Sequence, residues 1–412
     1  MKLNSQEKKI VGLAALGGML EFYDFIIYGI FSVYFAHQFF PSGNELLSII
    51  ESYIVFVLGY IARPIGGIIF SHIGDEHGRK KVLIITIILM GAASLGIGLM
   101  PTYEQIGFWA PIGLLAFRLI QGLALGGELP STYVYINESL RDKEHVGFGI
   151  TMTGVNSGLL LGMLINHLMS HLFDTAQLTE YGWRIPFIIG GALCFISYKI
   201  RRTLHETSAF EKIQDKPKFP LAHLFTEYPK QMIAGILTTS IMAALVVVSI
   251  IFMPTYLNKM IHVDTLQVSK IMSIAMFANI LTIFICGYVT RKYSPKQILT
   301  RLLFISLIIV PSGYIAIANG YTAIGVIALC ITEGAAAFVI PFLLTHLFPA
   351  NIRLTGVALS YNIGFTLFGG MAPIIITSMI KSGTNVILAP IIFCSVVLLA
   401  TFIGLIMIKR NS

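Results

Sequence analysis

Residues 59–81 read GYIARPIGGIIFSHIGDEHGRKK. An apolar run ends there in a charged segment punctuated by Gly74 and Gly78, and residues 82–100 are again apolar enough to enter a bilayer. The chain must therefore reverse within about ten residues of leaving the hydrocarbon, with Asp75, Arg79, Lys80 and Lys81 held at the membrane surface. Lysine and arginine beside the ends of apolar spans mark the cytoplasmic face. The span before this hairpin accordingly runs inward and the span after it runs outward.

Composition agrees with a membrane protein throughout. Hydrophobic residues make up 56% of the chain and charged residues 12%, against roughly 25% charged in soluble domains, and the mean hydropathy is +0.81. Long unbroken apolar runs specify helices, which satisfy their own backbone in lipid; a barrel would show short alternating segments. The net charge of +8 is a topology signal, because most of the lysines and arginines fall in segments that the hairpin places inside. It excludes nucleic acid as the expected partner. Cys194, Cys286, Cys330 and Cys394 all lie in apolar spans without metal-type spacing, so neither a disulfide nor a metal site is expected.

From the hairpin the rest of the chain divides into spans at 10–40, 46–71, 82–100, 108–135, 146–172 and 183–200, then 231–257, 268–290, 299–318, 321–347, 356–380 and 386–408. The fold class is all-α: twelve transmembrane helices in two six-helix bundles, 1–200 and 231–412. Residues 201–230 form a polar linker containing Lys212, Lys216, Pro217, Lys218 and Lys230. Both termini are expected inside, and Lys409 and Arg410 agree with that. Gly122 and Pro130 of the fourth span answer to Gly334 and Pro341 of the tenth, a weak internal repeat.

The loop GDEHGRKK resembles the signature between the second and third spans of the major facilitator superfamily. Asp75, Gly78, Arg79 and Lys80 match it, whereas Ser71 replaces its first glycine and Glu76 an arginine. LEFYDFIIYG (20–29), ARPIGG (62–67), RLIQGLALGGE (118–128), GWRIPF (182–187), RTLHETSAF (202–210) and LFPANIRLTGVALSYNIGFTLFGGMAP (347–373) are similar to blocks of one branch, the metabolite:proton symporters. His346 stands where that branch often has an acid, and the second-half counterpart of the loop near 290–296 lacks its aspartate. The resemblance implies the major facilitator fold, two bundles around a central site, and secondary active transport by alternating access. It further implies proton-coupled uptake of a small organic acid or zwitterion across a cell inner membrane. Small-molecule substrate, protons and the bilayer are the expected partners; a monomer with no cofactor and no enzymatic activity is expected. A proton-driven exporter of a small metabolite is the alternative, and a non-translocating transporter-like sensor is the alternative from another class.

Ionisable groups within spans are costly and so mark function by default. Glu21 and Asp24 are three residues apart and share a face of the first helix. Asp24 lies roughly 21 Å from the inner end at helical rise, near mid-bilayer, and Arg118 of the fourth span lies at similar depth. Burial and a nearby cation pull a carboxyl's proton affinity in opposite directions, which suits a proton carrier. Asp24, Glu21, Arg118 and Glu128 are therefore the proton-coupling candidates, with Asp24 paired to Arg118 and Arg63 a possible partner of Glu128. Arg63, Arg118, Glu333, Asn156, Asn279, Tyr361 and Asn362 are the substrate-binding candidates; Glu333 suits a cationic group of the substrate or a share of proton handling. Asp75, Gly78, Arg79, Lys80 and Glu138 are assigned to a cytoplasmic gate, in which Arg79 holds Glu138. A permanent structural ion pair and plain interhelical glue compete with these roles.

Overall fold

The computed structural model describes residues 3–41, 43, 45–213 and 219–408. Lys216, Pro217 and Lys218 of the linker, and Lys409 and Arg410, lie outside the described residues. Among these, eleven helices are long and apolar enough to cross a membrane, and a twelfth if the bent pair Thr175–Gly182 and Arg184–Arg201 counts as one span.

In chain order the spanning helices are α1 (Ser5–Phe39), α2 (Glu45–His77), α3 (Arg79–Leu99), α4 (Trp109–Ser139), α5 (Glu144–Leu172) and α6 (Arg184–Arg201). They continue with α7 (Pro229–Ile251), α8 (Thr265–Val289), α9 (Pro295–Ala318), α10 (Thr322–Leu347), α11 (Arg353–Lys381) and α12 (Leu388–Met407). The chain forms two compact units. The first comprises Lys2–Ser139 with Gly154–Ile213; the second comprises Leu140–Thr153 with Gln214–Ser412. The first ten residues of α5, Glu144–Thr153, thus group with α7–α12.

Two boundaries differ from the expected ones for local reasons. Helix α1 starts before the apolar run because Asn4 and Glu7 form a reciprocal capping box: the Glu7 amide donates to Asn4 Oδ1 at 2.8 Å and the Asn4 amide to Glu7 Oε2 at 2.6 Å. The hairpin is far tighter than a ten-residue loop. Helix α2 continues to His77, α3 begins at Arg79, and Gly78 alone turns the chain at φ 107°, ψ 151°, backbone angles open only to glycine.

Small residues set the spacing within the first unit. A Cβ on Gly66, Gly122 or Gly126 would overlap the backbone of the facing helix, at Leu123, Gly59 and Arg63 respectively, so α2 and α4 approach closely along this seam. Toward the other end of α1 an aromatic cluster holds it to α6: Phe35 lies 5.0 Å and Phe39 5.6 Å from Trp183 between ring centroids. The Tyr23 hydroxyl donates to the Pro186 carbonyl at 2.9 Å. Large apolar side chains such as Ile65, Phe277 and Ile308 stay exposed, as a lipid-facing surface requires.

Candidate functional site

Helix α1 carries Glu21 and Asp24 into the interior of the first unit, where each is about 1% exposed. Asp24 accepts a hydrogen bond from the Ser94 hydroxyl of α3. Gln121 Nε2 of α4 donates to Ser94 Oγ at 2.9 Å, and Arg118 Nη1 donates to Gln121 Oε1 at 2.7 Å. Asp24 and Arg118 are thus joined through two side chains instead of touching. The Arg118 guanidinium lies over the rings of Tyr28 and Phe56, 4.2 and 5.0 Å from their centroids, a placement that stabilises a buried cation. Its Nε has no hydrogen-bond partner among the described residues. Glycine at 190 on α6 leaves room for the Asp24 carboxylate, which a Cβ there would overlap. Glu21, Asp24, Tyr60, Arg118 and Gln121 line one cavity.

Seven residues before Asp24 on α1, at Gly17, a second ionic group fills the same unit. Glu128 of α4 pairs with Arg201 at 2.5 Å and accepts a hydrogen bond from Thr86. Arg201 Nη1 also donates to the Leu83 carbonyl at 2.8 Å. The expected linker thus begins one residue too early: Arg201 is the last residue of α6, buried, and it is the cation on Glu128. Gly17 makes the space, since a Cβ there would overlap the guanidinium. Arg63 lies over the Tyr60 ring at 4.8 Å. Glu21 is within electrostatic reach of Glu128, Arg63 and Arg201, yet neither of its oxygens has a hydrogen-bond partner among the described residues.

The hairpin at Gly78 gathers a third cluster. Arg79, fully buried, reaches Asp75 at 3.3 Å, Glu138 at 3.2 Å and the Gly74 carbonyl at 2.8 Å, and its guanidinium stands 4.8 Å from the Phe210 ring centroid. Glu138 also accepts from the Thr207 hydroxyl at 2.6 Å. Gly78 has no side chain to cap α3, and Glu206 takes that role: the Arg79 and Lys80 amides donate to its carboxylate at 3.2 and 3.1 Å. A carboxylate at a helix N-terminus complements both the unpaired N–H groups and the dipole. The Lys80 contribution to this cluster is its backbone amide.

In the second unit, Glu333 of α10 is fully buried and accepts from Asn279 Nδ2 of α8. Tyr361 and Asn362 sit on α11; Tyr361 packs on Phe365 at 4.5 Å, and Asn362 Nδ2 donates to Ala358 of its own helix at 2.9 Å. Asn156 is buried on α5 in the first unit. His346, noted for its departure from the family pattern, pairs with Glu144 at 3.2 Å.

Sequence reasoning missed Ser94, Gln121, Thr86, Arg201, Glu206 and Thr207. Gln121 had a usable signal, lying three residues after Arg118 on the same helix face. Glu206 and Thr207 lie in the block 202–210, whose polar composition reads as linker.

The model of the Major Facilitator Superfamily matches residues 14–373. The chain belongs to that superfamily. It is a transporter and not an enzyme, and its relatives are of the metabolite:proton symporter branch. It is 34% identical over 384 residues to the alpha-ketoglutarate permease of Escherichia coli, covering 91% of this chain and 87% of the relative. It is 30% identical over 409 residues to a putative proline/betaine transporter of Staphylococcus haemolyticus, covering 96% and 86%. Among solved structures, the proton:xylose symporter XylE matches with a TM-score of 0.79 at 18% identity, covering 97% of this chain and 95% of that one. FucP, another major facilitator, matches at 0.72 and 13% identity, with 98% and 100% covered. These likenesses establish the twelve-helix facilitator fold.

Proposed function

We propose that this transporter is a proton-coupled symporter that takes up a small organic acid or zwitterion by alternating access. The observation that carries the reading is the chain of hydrogen bonds Asp24–Ser94–Gln121–Arg118, buried beside a cavity in the first unit. A proton on Asp24 removes the charge that orients Ser94, and through Gln121 that loosens Arg118. Arg118 then presents its free Nε and its remaining donors to a substrate carboxylate, so proton and substrate favour the same conformations. Coupling requires that shared preference, because a ligand shifts an equilibrium only by its differential affinity for the states.

The relatives frame the substrate: one is named for a dicarboxylate and others for proline and betaine, and all of these carry a carboxylate suited to arginine. Arg63, Glu21 and Glu128 belong to the neighbouring ionic group of the same unit. We assign the Asp75, Gly78, Arg79, Lys80 and Glu138 cluster, with Glu206, to a cytoplasmic lock in a monomer whose termini both face the cytoplasm of a cell with this inner membrane. The two six-helix bundles, expected at residues 1–200 and 231–412 and with Arg201 belonging to the first, are the moving halves.

Uptake into proteoliposomes, with an inward proton gradient imposed or collapsed, tests this across labelled alpha-ketoglutarate, proline and betaine. Accumulation of one compound that disappears with the gradient is the expected result. Gradient-driven loss of preloaded compound would instead support export, and binding without flux would support a sensor.

A further inference from the structure

Among the described residues the second unit holds one carboxyl group in its membrane interior, Glu333, and its surroundings differ in kind from those of Asp24 and Glu128. Glu333 is 0% exposed near the middle of α10. Among the described residues no charged side chain acts on it. Its one hydrogen bond comes from Asn279 Nδ2, which also donates to the Cys330 carbonyl at 2.8 Å. Both N–H groups of that amide are therefore in use, and Glu333 Oε1 has no hydrogen-bond partner among the described residues. The titratable neighbour on the same helix, Cys330, lies within electrostatic reach of Glu333, and its Sγ donates to the Ser249 carbonyl at 3.4 Å. Close packing fixes the pair, since a Cβ on Gly334 would come 2.7 Å from the Asn279 carbonyl oxygen.

A carboxylate buried without a counter-charge is the costliest state such a side chain can occupy. A carboxylic acid in the same place costs far less, with one oxygen accepting from Asn279 and the other carrying the hydrogen. We infer that Glu333 is a second proton-binding site, separate from Asp24, which takes up a proton at Oε1 when exposed to one aqueous phase and releases it to the other. The step balances as carboxylate plus proton giving carboxylic acid, with the O–H bond broken on release. As an element of transport it rests on the symport reading, and it implies two protons per cycle.

The test is an infrared titration of the purified protein in liposomes, following the carbonyl stretch of protonated carboxyl groups, beside the proton-to-substrate ratio from reversal potentials. Glu333→Gln keeps the acceptor for Asn279 and stays neutral. It is expected to remove one titrating band and to lower the ratio by one proton, while Asp24→Asn removes a different band. Should Glu333→Gln not fold, Asn279→Ala retains the acid but loses its donor, and must move the same band's midpoint by about half a pH unit or more. An unchanged spectrum and ratio in folded Glu333→Gln, or an unmoved midpoint in Asn279→Ala, would overturn the inference. The infrared readout needs no transport, so failure of this site is distinguishable from failure of symport.

Discussion

The two units treat buried charge in opposite ways. In the first, the acids Asp24, Glu128 and Glu138 are tied to arginines directly or through a polar relay, as at Arg201–Glu128 and Arg79–Glu138, and Glu21, though without a hydrogen-bond partner among the described residues, lies within electrostatic reach of Arg63 and Arg201. In the second, Glu333 has an amide and, among the described residues, nothing ionic. An ion pair in a low-dielectric interior depends on both members, because removing one strands the other. An acid held by an amide has no such dependence and is free to change its protonation. The first unit thus sets its buried acids among arginines, and the second sets Glu333 beside an amide.

The sharpest way to break this contrast is Arg201→Met, which leaves Glu128 charged and buried. A loss of about 3–5 kcal/mol is expected, read as loss of monodisperse protein on size exclusion, with partial recovery when Glu128→Gln is added. Tolerance of the single variant would show that these ions are not interdependent. Gly78→Ala should cost about 1–3 kcal/mol in thermal unfolding, because the backbone there is one only glycine adopts readily and a Cβ would displace Glu206 from the α3 amides. Asn279→Ala in the second unit should cost about 1–2 kcal/mol, the scale of the two neutral hydrogen bonds it removes. A cost as large as that of Arg201→Met would mean that Glu333 is ionised. Glu206→Gln, which keeps an acceptor for only one of the two α3 amides and loses the charge near the helix dipole, should cost about 1–2 kcal/mol.

What the sequence made legible follows from which signals are local. The spans were visible because twenty-residue apolar runs admit one structure in lipid, and the Gly78 hairpin because charge and glycine interrupt such a run. Its true tightness was not visible, since it depends on Glu206 arriving from more than a hundred residues away to cap α3. Asp24 and Arg118 stood out as charges at matching depth; Ser94 did not, because a serine in a span bonds its own backbone as readily as a neighbour. Arg201 was hidden by its position. A basic residue at the inner end of a span reads as a topology signal, and only the packing of α1 at Gly17 against α6 shows that it turns inward.

The relay from Asp24 to Arg118 is the claim on which the rest depends, and Asp24→Asn in proteoliposomes tests it most directly. With purified, monodisperse protein and the substrate identified by the uptake panel, gradient-driven accumulation should be abolished while exchange of labelled for unlabelled substrate continues at a comparable rate. Accumulation that persists in this variant, or loss of exchange together with accumulation in protein that remains folded, would contradict it.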